Sequence, residues 1–341
     1  MTNQNRILYL EKLRILALLL VLYTHSNRAG VVYYEQPATV LGFWVSLFML
    51  PISQCCVVLF FMISGAVLLD RQESLKKTYL HRVLPMAIVT ALFVLIQYIQ
   101  KCFDGNQTFS VINYLMALYS GGSITEHWFL YAYLSFLMLL PFLQGMTIGV
   151  KKNIYYRYLF ILMLAMNTFF PMWEAVSDWE KAGFSLPLLA NIVFYPLMGH
   201  YVEKSGDAFL ENKKVLTLAN VLGILLAVGN CLMNYHSLTV GEKTAYMTTF
   251  LPYFSCLIFW NMKIYGAGKK YCQFWSFAGA GVFGTYLIEP QLRHIFDPLR
   301  NYVLSLPVPY LANLFVLLLM AFFGIIFTNL VKKLPGMKLL L

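Results

Sequence analysis

Apolar residues in this chain come in long runs, separated by short stretches that hold most of the charge. About 20 mostly apolar residues make a helix long enough to cross a bilayer. Hydropathy and the Pro and Gly breakers mark ten such segments, near residues 8–29, 40–69, 84–101, 128–146, 155–171, 187–202, 214–235, 245–261, 274–294 and 309–331. The second is too long for a simple span and contains Pro51, which predicts a kink or break. The pattern predicts an all-α integral membrane protein of about ten transmembrane helices. Residues 1–341 form one polytopic domain, with no internal repeat, low-complexity tract or linker.

Composition supports this pattern. Hydrophobic residues make up 60% of the 341 and charged residues only 12%, against about 25% charged in a soluble domain. The net charge of +10 would suggest nucleic acid in a polar chain, but here its placement explains it. With the N-terminus inside, the cytoplasmic segments collect 19 of the 25 Lys and Arg residues. So strong a bias predicts an even number of spans and an N-in/C-in orientation. The six cysteines, at 55, 56, 102, 231, 256 and 272, lie mostly in apolar stretches. They have neither metal-ligand nor disulfide-framework spacing, so no metal is expected. No small-residue cleavage site follows the first apolar run, which reads as a retained helix.

The chemistry begins in that first helix. From Glu11 to Arg28 it reads EKLRILALLLVLYTHSNR, an apolar run from Ile15 to Tyr23 with ionisable groups at both ends. Arg14 and His25 are eleven residues apart, which on a helix is three turns plus roughly 20°, so both share a face about 16 Å apart. The apolar run is too short to span alone, so ionisable groups must enter the membrane's depth, where they usually face a bundle interior or wet cavity. The competing reading is that Arg14 snorkels to the headgroups and His25 caps the far end.

Other candidates are scattered. Ser64-Gly65, inside the second span, lets another helix or a thin ligand come close. Arg71, Lys76, Lys77, His81 and Arg82 form a basic loop that suits phosphates and also fits the positive-inside rule. Glu126-His127-Trp128 opens the fourth span on the side His25 faces, where a carboxylate can orient a general base or cap a helix. Glu289 stands in an apolar run before Pro290 and Arg293 and is the best acidic candidate for an internal partner. Trp173, Glu174, Asp178, Trp179 and Glu180 read as a lipid-belt anchor, or as a lip that stacks on sugar rings and accepts hydroxyl hydrogen bonds. No GxSxG, HExxH, Walker or CxxC pair is present.

In order, these stretches resemble the acyltransferase-3 family of bacterial membrane acyltransferases. The resemblance rests on Tyr9-Leu10-Glu11-Lys12-Leu13-Arg14 leading through ten residues to His25-Ser26. It is reinforced by Phe60-Phe61-Met62-Ile63-Ser64-Gly65 with Leu68, Arg82 with Pro85, Trp128-Phe129-Leu130 with Pro141, and Tyr286-Leu287-Ile288. Departures are Glu11-Lys12 where members often have Asp-Gly, Ala66 where an aromatic is common, and Glu289 where a His is frequent.

The resemblance implies a multi-pass enzyme of the bacterial cytoplasmic (inner) membrane that transfers an acyl group, often acetyl, from cytoplasmic acetyl-CoA or another acyl-CoA. The acceptor is a hydroxyl of an envelope polysaccharide or glycolipid. His25 is then the catalytic base or acyl carrier, steadied by Glu126 or Glu289. Arg14, Arg82, Ser64 and Gly65 lie near the donor, and Trp128, Trp179 and Asp178 near the acceptor. The competitor is a transporter or flippase of an envelope glycan, for which the repeated, broken halves of such proteins are missing. Whether two copies pair as a homodimer is left open.

Overall fold

The computed structural model describes residues 8–26, 40–71, 73–120, 128–170, 172, 190–240, 249–266, 273–304 and 309–337. Each of the ten expected segments carries helix, and the described residues contain no strand. The helices are α1 (Leu8–Ser26), α2 (Val40–Ser53), α3 (Cys55–Leu68), α4 (Leu75–Phe103), α5 (Val111–Ser120), α6 (Trp128–Gly149) and α7 (Asn153–Leu164). They continue as α8 (Tyr195–Lys204), α9 (Lys213–Val240), α10 (Leu251–Gly266), α11 (Gln273–Leu287), α12 (Glu289–Leu304) and α13 (Pro309–Val331). Five stretches among the described residues are long and apolar enough to cross a membrane: Val40–Leu68, α4, α6, Lys213–His236 within α9, and Asn313–Val331 within α13.

α1 is the hub of the bundle. It packs against α3, α11, α10, α13 and α2, and Leu13, Ala17, Leu18 and Leu22 on it are completely buried. A helix enclosed by others has no lipid-facing stripe to show, so its apolar run is continuous rather than amphipathic. Bulky apolar side chains on the outer helices, such as Leu218, Ile224 and Leu225 of α9, stay exposed, as a hydrocarbon solvent allows.

Two glycine contacts set how closely the other helices approach. A Cβ on Gly65 would lie 1.9 Å from the Pro196 carbonyl oxygen, and one on Gly199 would lie 1.9 Å from that of Met62. α3 and α8 therefore cross backbone to backbone, a membrane packing mode in which small residues replace a hydrophobic driving force. α11 and α13 interlock similarly. Gly281 and Gly284 face Ile325 and Thr328, while Gly324 faces Thr285.

The second span is broken, as its Pro51 predicts, at Gln54, three residues on. Two details differ from the expectation. The segment after α4, expected as a loop on the His25 side, contains α5. Tyr98 donates to the carbonyls of Thr108 and Ser110, and Tyr114 to that of Ala91, so this helix is tied along α4. The ninth span ends at Leu287, and the residues after 294 continue as helix to Leu304 instead of forming a loop. Pro290 is the cause. It has no N–H for the Tyr286 carbonyl and its ring crowds that turn, so a new helix starts with Glu289 at its first position.

Candidate active site

Polar side chains gather at the two ends of α1. At the Arg14 end, Arg14 Nη1 donates to Glu11 Oε1 at 2.6 Å. Glu11 is 3% exposed, and its carboxylate fits against α11 because residue 279 is glycine. A Cβ there would lie 1.9 Å from Glu11 Oε2. Lys12 Nζ donates to the Gly266 carbonyl at 3.0 Å and sits 5.6 Å from the centre of the Trp275 ring. Tyr9 donates to Glu203.

A cavity of ≈ 340 Å³ opens beside Arg14. Arg14 and Lys332 contribute its cations, Ser64, Tyr133 and Tyr286 its hydroxyls, and Phe60, Met86 and Phe129 much of its apolar wall. Ser64 Oγ donates to the Tyr133 hydroxyl at 3.2 Å. Lys332 donates to the Ala280 carbonyl, anchoring the end of α13 to α11. Phe129 and Tyr286 meet edge to face, with ring centres 5.6 Å apart. Tyr286 lies one helical turn before Glu289 on the chain, so the wall of the cavity leads towards the other end of α1.

At that end, His25 Nδ1 is 3.0 Å from Glu289 Oε2. With the carboxylate ionised and the ring neutral, Glu289 can only accept, so Nδ1 carries the proton and Nε2 the lone pair. The Glu289 side chain is 2% exposed and that of His25 is 24% exposed, so the acid is enclosed while the ring stays reachable. Arg293 Nε, one turn further along α12, lies 3.6 Å from Glu289 Oε1. Carboxylate, imidazole and guanidinium thus come together from two helices. Such a pair can take a proton from a hydroxyl at Nε2, with the carboxylate holding the ring and stabilising the imidazolium.

The other sequence candidates fall differently. Ser64 lines the cavity, but Gly65 is turned to Pro196 and serves the α3–α8 crossing. Arg82 is off the cavity wall. Its Nε and Nη2 donate to the two oxygens of Glu73 at 2.6 and 2.7 Å, and this hydrogen bonding holds the Glu73 carboxyl below its usual range. Trp128 is 48% exposed, and its neighbour Phe129 is the one that reaches the cavity. Glu126, Asp178 and Trp179 lie outside the described residues. Sequence reasoning missed Gly279, Tyr133 and Lys332 as neighbours of Arg14. The Gly279-x-Gly281-x-x-Gly284 spacing was the available signal for the first.

A second polar belt lies away from the cavity. Asp70 pairs with His200 at 3.0 Å and Lys204 at 3.3 Å, and Arg157 with Asp207 at 2.7 Å. Burial pushes the Asp207 carboxyl up, but hydrogen bonds from Arg157 and Tyr201 outweigh it, and the net shift is downward.

The family model of the acyltransferase domain of the acyltransferase-3 group matches residues 7–330, nearly the whole chain. No curated protein and no solved structure matches it. The match takes in both ends of α1, the α11–α12 break and the cavity lining except Lys332. The chain belongs to the acyltransferase-3 family.

Proposed function

We propose that this acyltransferase-3 protein lies in the bacterial cytoplasmic membrane as a ten-span bundle with both termini inside. There it moves an acyl group from acyl-CoA, acetyl-CoA in the simplest case, to a hydroxyl of an envelope polysaccharide or glycolipid. The observation that carries this reading is the His25–Glu289 pair, set at one end of a helix whose other end brings Arg14 to a cavity. In a transporter such a pair would serve as a proton relay, and consumption of acyl-CoA separates the two readings.

The cavity of ≈ 340 Å³ is at the small end of ligand pockets, which run from about 300 Å³ upward. That suits the extended pantetheine arm and leaves the nucleotide outside. Arg14 and Lys332 at the cavity are suited to donor phosphates, and Phe60, Met86 and Phe129 flank the arm. The roughly 16 Å climb from Arg14 to His25 is comparable with that arm's reach.

In the proposed step the acceptor hydroxyl gives its proton to His25 Nε2. Its oxygen attacks the thioester carbonyl carbon and the C–S bond breaks. CoA leaves as thiolate and recovers a proton from the imidazolium. Glu289 keeps Nδ1–H in place throughout and offsets the ring's charge. Membranes bearing the protein and labelled acetyl-CoA test this, beside membranes bearing His25→Gln. Label on an envelope glycan or lipid with the intact protein alone is the expected result. Equal transfer with the variant removes His25 from the chemistry.

A further inference from the structure

The Glu289 carboxylate has two oxygens and His25 occupies one of them. The other, Oε1, is buried with no hydrogen-bond partner. A buried carboxylate with one bare oxygen is unfavourable unless opposite charge stands near. Here the Arg293 guanidinium supplies it, 3.6 Å from Oε1. The Glu-to-Arg order at i, i+4 is also the favourable one on a helix. At 3.6 Å the contact is beyond hydrogen-bond range, so Arg293 acts through its charge and not through bond geometry.

From this we infer that Arg293 is a positioning residue. Its charge holds the Glu289 carboxylate in the orientation that keeps the proton on His25 Nδ1 and the lone pair on Nε2. This rests on reading His25 as the base. The device depends on the α11–α12 break. A new helix starts at Glu289, beside Pro290, and Arg293 stands one turn further along it. His25, Glu289 and Arg293 are the ionisable groups that meet here among the described residues.

The test reads the ring nitrogen directly, without needing transfer activity. The full-length protein in membranes is treated with diethyl pyrocarbonate, which attacks an imidazole lone pair. Labelling of His25 is measured by mass spectrometry relative to the exposed His81. In Arg293→Met the His25-to-His81 rate ratio should fall about tenfold, the scale of one lost charged contact. In Arg293→Lys, which keeps a charge, the ratio should stay within about twofold of the parent's. An unchanged ratio in Arg293→Met, or an equal fall in Arg293→Lys, overturns the proposal. A fall in Met with recovery in Lys supports it, even if acetyl-CoA proves to be the wrong donor. Where transfer is measurable, Arg293→Met should lower kcat and leave KM for the donor unchanged.

Discussion

The two ends of α1 each join a cation or base to a buried carboxylate, and they do it in opposite ways. Arg14 takes its carboxylate from Glu11, three residues earlier on the same helix, at 2.6 Å. His25 takes its carboxylate from Glu289, which arrives 264 residues later at 3.0 Å. Around Arg14 the contacts are dense. Glu11 is pressed against Gly279, and Lys12 and Tyr9 are bound to neighbouring elements. Around His25, among the described residues, Glu289 is the charged partner, and the ring remains partly open. The lesson is about the task each end performs in the proposed reaction. A group that must stay charged is best held by a partner fixed on its own helix. A group that must exchange a proton needs one nitrogen held from a distance and the other left clear.

The largest effect that tests this contrast is loss of the base. His25→Gln should reduce transfer by about 10³-fold, within the range for a general base, and Glu289→Gln by about 10²-fold in kcat with donor KM little changed. Steady-state kinetics in membranes decides it. A KM effect from Glu289→Gln would place that residue in donor binding and erase the contrast.

Next comes Gly279→Ala, which strikes the Arg14 end alone. The new Cβ would overlap Glu11 Oε2 at 1.9 Å, and overpacking of this kind costs about 1–3 kcal/mol. A lower thermal midpoint in detergent is expected, beside an unaffected Gly229→Ala control, whose Cβ would meet nothing within 4 Å. Arg14→Lys should be milder still. It should raise donor KM about tenfold through loss of the planar fork, with kcat nearly kept.

The smallest effect is one of pH. Arg82 holds the Glu73 carboxyl below its ordinary value of 4.5. A depressed carboxylate contributes stability above its unfolded value, and that contribution is lost as pH falls through the folded one. Melting temperatures should therefore drop below about pH 4.5 by the equivalent of less than about 1 kcal/mol. Glu73→Gln should flatten that part of the curve.

The local half of this picture was readable from the chain. The shared face of Arg14 and His25 follows from helical period alone, and α1 keeps that period without a break from Leu8 to Ser26. The apolar runs marked the helices, since in lipid every backbone group must be satisfied within its own segment. Glu11 as the partner of Arg14 was also within reach, because residues three apart on a helix are neighbours. Gly65 shows where such reading stops. Its sequence is equally good for admitting a ligand or a helix, and only Pro196 lying against it decides for the helix. Arg82 is similar, since Glu73 occupies a fork that the sequence offered to phosphates.

By itself, the sequence determined an all-helical membrane bundle, the family, and a first helix with an arginine and a histidine on one face. Those depend on hydrophobicity and on the 3.6-residue turn, which act within a segment. Only the tertiary structure decided that His25 meets Glu289, that Gly279 makes the notch for Glu11, and that Arg293 stands behind the pair. Each of these joins or orients groups through the packing of separate helices and the break at Pro290. Apolar runs say that helices pack, but the rotation and depth at which they meet are set by the side chains of both partners at once.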